Sequence, residues 1–178
     1  MTRTIIKTCT VYLLFLYSFA YSISAIGANN SIYITQAGGS SALTMNIDQI
    51  GASNVVGTTS SRVSLTGTTM TVDIDQIGDS NVIAATVAQG NTTSFTLSST
   101  GDSNTQTLAV GATGDVAGSD FDFAATGDSN ALTFTQGAAA TATSGNTDIV
   151  ITGTSNDLNI VSEVVGATNN WDIDGDSN

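Results

Sequence analysis

The sequence predicts an all-β fold: a parallel β-solenoid with two facing sheets and about six strand-turn-strand coils, following an N-terminal signal peptide. Three observations carry that expectation. A Gly-x-x-Asn tetrad recurs seven times at near-even spacing, the runs on either side of it alternate apolar and polar residues, and the chain has no proline. Fixed-period self-similarity marks repeat architectures, in which one unit buries its apolar face only when neighbours stack on it. Period-2 alternation of β-branched and aromatic residues marks strands with one buried face. Without proline, every backbone N–H is available to a ladder.

Residues 1–25 read as the signal peptide. Arg3 and Lys7 precede the apolar run Val11-Tyr12-Leu13-Leu14-Phe15-Leu16-Tyr17, and Ser22, Ser24 and Ala25 supply small residues for cleavage near Ala25. The run is shorter than the ~20 residues that cross a bilayer comfortably, which sets the alternative, a membrane anchor, second. Cys9 is the single cysteine and falls in this segment, so residues 26–178, the repeat domain, have no disulfide.

The repeats then follow in order. The tetrads are Gly27-Ala-Asn-Asn30, Gly51-Ala-Ser-Asn54, Gly78-Asp-Ser-Asn81, Gly101-Asp-Ser-Asn104, Gly127-Asp-Ser-Asn130, Gly153-Thr-Ser-Asn156 and Gly175-Asp-Ser-Asn178. Their glycines are 24, 27, 23, 26, 26 and 22 residues apart. A strand is expected before each tetrad, with Met45 and Ile47, Val72 and Ile74, Phe95 and Leu97, and Phe121 and Phe123 inward. Ile149 with Ile151 and Trp171 with Ile173 continue these columns if two residues are deleted before the glycine. A second strand is expected after each tetrad, with Ile32 and Ile34, Ile83 and Ala85, Leu108 and Val110, Leu132 and Phe134, and Leu158 and Ile160. The repeat after Gly51 fits less well, since Val56 is followed by Thr58. The tetrad reads as a tight corner, because glycine accepts positive φ and asparagine bonds its own backbone. A looser corner falls at Gly38-Gly39-Ser40, Gly90-Asn91, Gly111 to Gly118 and Gly137 to Gly145, and its variable length explains the wandering period. A β-sandwich is the main structural alternative, but its turns need not resemble one another.

These residues resemble the curlin repeat family, whose members are subunits of curli fibres and whose repeat runs Gln-x-Gly-x-x-Asn-x-Ala with a second Gln six residues after the Asn. Gln49-x-Gly51-x-x-Asn54 and Gln76-x-Gly78-x-x-Asn81 match the first half; Asn30 to Gln36 and Asn130 to Gln136 match the second. Elsewhere Ser99 and Ala125 replace the first glutamine, Ser60, Val110 and Ser162 the second, and Gln106 stands where the family has alanine. The resemblance implies a secreted, self-assembling amyloid-like fibre subunit of the bacterial cell surface that contributes to adhesion and biofilm matrix. It further implies homopolymer growth by end-to-end stacking, with a curli-type export pore and nucleator proteins as partners. In register, like amides lie over like amides and hydrogen-bond along the axis. The tetrad asparagine is therefore either an inward ladder or a turn residue pointing outward. The last tetrad stops half-way through a coil, an edge that another subunit would continue.

Charge narrows the function classes. Beyond residue 25 only Arg62 is basic, against fifteen acidic residues, a net charge of −14. Nucleic-acid binding needs Lys and Arg clusters, and membrane insertion after signal removal is not expected. Asp79, Asp102, Asp128 and Asp176 hold one tetrad position, while Asp48, Asp75 and Asp174 read as another column. Such columns either keep the monomer soluble or hold assembly under the control of acid, salt or divalent cations. With no His, Cys or Lys beyond residue 25, nucleophile–base pairs are absent and no catalytic residue is named. Carboxylate pairs, Asp73 with Asp75 and Asp120 with Asp122, are better read as a repeating surface than as a unique site. No cofactor is expected; Asp172, Asp174 and Asp176 form a weak calcium candidate without the glycine and closing glutamate of an EF-hand. The competing class is a monomeric solenoid adhesin, or a phage or surface fibre module, binding polysaccharide or another regular surface. Against an ice-binding face, Thr133, Thr135, Thr141 and Thr143 do not recur at one aligned position.

Overall fold

The computed structural model describes residues 9–14, 19–27, 29–37, 42–58, 63–91, 93–110, 116–136, 142–143, 145–162, 164–166 and 168–177. Its strands are, in chain order, β1 (Cys9–Leu14), β2 (Phe19–Ile26), β3 (Asn29–Ala37), β4 (Leu43–Ile50), β5 (Ser53–Val56), β6 (Val63–Thr66), β7 (Met70–Ile77), β8 (Ser80–Asn91) and β9 (Thr93–Thr100). There follow β10 (Ser103–Val110), β11 (Val116–Ala117), β12 (Asp120–Thr126), β13 (Ser129–Gln136), β14 (Ala142–Thr143), β15 (Asn146–Thr152), β16 (Ser155–Ser162), β17 (Val164–Val165) and β18 (Thr168–Asp174). No helix occurs among the described residues.

Two parallel sheets face each other. The first runs β1-β3-β5-β8-β10-β13-β16 and the second β18-β15-β12-β9-β7-β4-β2. Every pairing is parallel, and each main-path strand sits on its counterpart one repeat away. The chain is thus a β-solenoid, and antiparallel sandwich topology is excluded. Alternation decides which residues enter the core: in β7, Met70, Val72, Ile74 and Gln76 are buried while Thr71 and Ile77 are exposed. The core is aliphatic in the early coils and turns aromatic later, where Phe121 and Phe123 pack on Phe134 with ring centroids 5.4 and 5.0 Å apart.

The tetrad corners hold the register. Gly51 N–H donates to the Ile77 carbonyl of the following coil, and Ser80 N–H donates back to the Ala52 carbonyl, both at 2.9 Å. The same pair of bonds recurs as Gly127 to Thr152 at 3.0 Å and Ser155 to Asp128 at 2.9 Å. These bonds correct the expected two-residue deletion before Gly153 and Gly175. Phe121 pairs with Thr147, Phe123 with Ile149 and Ala125 with Ile151, and Trp171 and Ile173 then lie on Ile149 and Ile151. The apolar pair shifts one inward position toward the glycine, so that Ile151 and Ile173 take the column that begins with Gln49 and Gln76.

The misfit after Gly51 has a structural cause. The chain leaves the sheet after Val56, at Gly57 with φ 69°, and re-enters with Val63 and Leu65, which pair with Ala85 and Val87. Residues 57–62 therefore stand where one residue stands in the next repeat, and Val63 and Leu65 fill the core positions that Thr58 leaves. Of the second corner, residues 38–40, 111–115 and 137–141 lie outside the described residues, but short strands occur in the part that is described. β11, β14 and β17 stack there as a narrow third strip, with Val116 on Ala142 and Ala142 on Val164. At the amino-terminal edge, β1 pairs with β3 and β2 with β4.

Candidate functional site: the stacked amides and the acidic face

Each tetrad glycine is required by closeness rather than by conformation. A β-carbon on Gly51, Gly78, Gly101, Gly127, Gly153 or Gly175 would lie 1.5–1.8 Å from the carbonyl oxygen of the glycine one coil earlier. Gly27 is that earlier glycine for Gly51. The positive φ expected from the sequence holds only at Gly127 (159°) and Gly175 (146°) among the described tetrad glycines. Parallel coils at strand spacing bring these backbones into contact, and hydrogen is the only side chain that fits.

That closeness brings the asparagines into one line. Asn30, Asn54, Asn81, Asn104, Asn130 and Asn156 are register partners and all are buried. Nδ2 of each donates to Oδ1 of the next, at 3.2, 3.1, 2.9, 2.8 and 2.9 Å in order. The same nitrogen closes its own corner: Asn81 Nδ2 lies 3.0 Å from the Gly78 carbonyl and 2.9 Å from the Thr100 carbonyl of the next coil. The side chain points inward and also bonds the turn, so the inward ladder holds, the outward-pointing alternative does not, and the turn role is kept by the same amide. Asn178 lies outside the described residues.

The glutamines divide differently. Gln49 and Gln76 are buried neighbours; Gln76 Nε2 donates to Gln49 Oε1 at 2.7 Å, and each Nε2 also reaches the facing sheet, at Val55 O (3.3 Å) and Val82 O (3.1 Å). Gln76 Oε1 is buried with no hydrogen-bond partner, because Ser99 follows it. There Gln106, on the opposite sheet, takes over the crossing: its Nε2 reaches Ser99 Oγ at 3.1 Å and the Ala124 carbonyl at 3.0 Å. Sequence reading passed over Gln106 as a substituted alanine. The signal that would have found it is its occurrence in the same repeat that loses the first glutamine. Gln136 is buried but stacks between Val110 and Ser162, accepting from Ser162 Oγ at 3.3 Å rather than joining a glutamine column. Gln36 lies in β3, and its side chain falls outside the described residues.

Most of the carboxylates project from the second sheet. Asp48 stacks on Asp75 and Asp122 on Asp148. The outward column of Asp48 and Asp75 runs on through Ser98, Ala124 and Val150 to Asp172, so Asp172 rather than Asp174 belongs to it. Burial, then the charges of Asp75 and Asp48, raise Asp73 above the ordinary carboxylate value. Burial, then Asp120 and Asp148, do the same to Asp122. Asn146 relieves part of that crowding, its Nδ2 lying 3.1 Å from both Asp120 Oδ1 and Asp148 Oδ2. Asp172, Asp174 and Asp176 are all exposed, and no group of three or more metal-ligating side chains occurs among the described residues. The surface thus offers cation attraction and the core offers amide hydrogen bonding. No family model, curated protein or solved structure matches the chain.

Proposed function

We propose that this chain is the subunit of a secreted, self-assembling amyloid-like fibre at the bacterial surface, with roles in adhesion and biofilm matrix of the kind the curlin resemblance implies. The observation that carries the reading is the unbroken asparagine chain from Asn30 to Asn156, one amide per coil. An arrangement in which each coil templates the next through backbone and side-chain bonds extends across a molecular boundary by the same bonds. β16 and β18 are the outer strands of the two sheets at one edge; Leu158, Ile160 and Ile173 are only partly covered there and Trp171 is 50% exposed. On this reading, cleavage near Ala25 removes β1 and nearly all of β2 and bares β3 and β4 for the next subunit. Export through a curli-type pore and seeding by a nucleator protein belong to the same proposal.

Electron microscopy of purified 26–178 on standing, with seeded thioflavin kinetics, tests it. Fibres that elongate from seeds, and grow more slowly after Asn81→Ala with Asn104→Ala, are expected. A protein that stays monomeric at high concentration would overturn the reading. A second reading, a monomeric solenoid binding polysaccharide or another regular surface, draws on one observation: Thr107 and Thr133 are register partners facing outward on the first sheet, beside Thr105 and Thr135.

A further inference from the structure

A groove of about 450 Å³ runs along the solenoid axis on the outer face of the second sheet. One wall is a column of isoleucines, Ile26, Ile50 and Ile77, which are 49, 47 and 53% exposed. The other wall is the next outward column, Ser24, Asp48, Asp75 and Ser98. The columns are two residues apart on each strand, hence ~6.6 Å, and successive members are ~4.8 Å apart. Three half-exposed isoleucines stacked in a row beside acids stand out on this sheet, whose other water-facing positions are threonine, serine, asparagine or aspartate apart from Ala124 and the single exposed Val150.

The occupant must bring positive charge. No lysine or arginine lies among the described residues, and the chain carries −12 overall, which argues against a second copy seated on this face. It must also bring methylene groups for the isoleucine wall, and its charges must repeat along the axis at the strand interval. We propose that the groove binds a linear aliphatic polyamine. Its ammonium groups meet Asp48 and Asp75, its methylenes lie on Ile50 and Ile77, and a three-carbon spacer sets neighbouring charges about one strand spacing (~4.8 Å) apart. Asp73, on the next outward column, adds a third carboxylate to the same field. Ser24 Oγ, which donates to Asp48 Oδ2 at 3.3 Å, lies before the proposed cleavage point, so the groove that remains loses Ser24 and keeps Asp48 and Asp75 beside Ile50 and Ile77.

Titration of folded 26–178 with spermidine, followed by calorimetry and by side-chain chemical shifts, tests this independently of fibre formation. Saturable binding at one site is expected, weakened about tenfold by Asp48→Asn with Asp75→Asn, as for the loss of two exposed charge pairs. Ile50→Thr with Ile77→Thr should weaken it severalfold, while Asp122→Asn with Asp148→Asn, an acidic pair with no isoleucine column beside it, should leave it unchanged. Equal loss from the Asp122 and Asp148 variant, no effect of the isoleucine variant, or displacement by magnesium at matched charge would reduce the effect to counterion attraction and overturn the proposal.

Discussion

Gly78 and Asn81 show how one short motif does two jobs at the residue scale. The missing β-carbon of Gly78 lets its coil approach the Gly51 carbonyl, and that approach places Asn81 Nδ2 within reach of three acceptors. Gly78→Ala should therefore cost more than loss of a turn glycine, about 4 kcal/mol or more, because backbone rather than a flexible side chain stands in the way. Urea unfolding measures this, and a stability unchanged or raised by up to ~1 kcal/mol, as for Gly-to-Ala exchange at an unobstructed strand position, would contradict the close approach. Asn81→Ala deletes both ladder bonds at one coil and leaves the buried Oδ1 of Asn104 without its ladder donor, so a loss of about 3 kcal/mol is expected by the same measurement. The recurrence of the tetrad made both residues legible in the sequence. The reason for the glycine was not, since a clash with a residue more than twenty positions away leaves no local mark.

At the scale of the element, the glutamine crossing shows a repeat compensating for its own departure. Gln49 and Gln76 span from the second sheet to the first, and Gln106 spans the other way where Ser99 is too short. Restoring the earlier pattern with Ser99→Gln and Gln106→Ala should extend the amide stack onto Gln76 Oε1 and raise stability by about 1–2 kcal/mol in thermal or urea unfolding. Ser99→Gln alone should not, because two glutamines then compete for one crossing. The interrupted pair β5 and β6 makes a second test: deleting residues 58–62 joins Gly57 to Val63 and reproduces the spacing of Ile83, Ala84 and Ala85. The shortened chain should keep its circular dichroism and change stability by no more than about 1 kcal/mol, as loop-length changes of this size do. Sequence periodicity located every tetrad but misread this repeat, because an insertion inside a strand looks like a poor strand until the partner coil shows what fills the column.

For the whole molecule, charge is divided by face: the outer side of the second sheet collects Asp48, Asp73, Asp75, Asp120, Asp122 and Asp148. Asp73 and Asp122 have folded-state values raised above those of the unfolded chain, chiefly by burial and then by neighbouring carboxylates. The folded state then binds more protons, so stability rises as pH falls from neutral through the raised values toward the ordinary carboxylate range, ~4. The thermal midpoint should be higher near pH ~4.5 than near pH ~7 at low salt. Asp122→Asn should raise the neutral-pH midpoint and flatten the profile. A midpoint that falls steadily on acidification would contradict this assignment.

The one-dimensional pattern was enough for the all-β class, the strand positions and the tetrad corners, because alternation and turn chemistry are local properties written within a few residues. The parallel stacking that turns repeats into coils followed from their similarity. What only the tertiary structure decided is register: that Ile149 lies on Phe123, that Asp172 continues the column of Asp48, and that Ile26, Ile50 and Ile77 stack into one exposed column. Register is fixed by corner hydrogen bonds between residues a full coil apart, and no sequence window short enough to read by eye contains both partners.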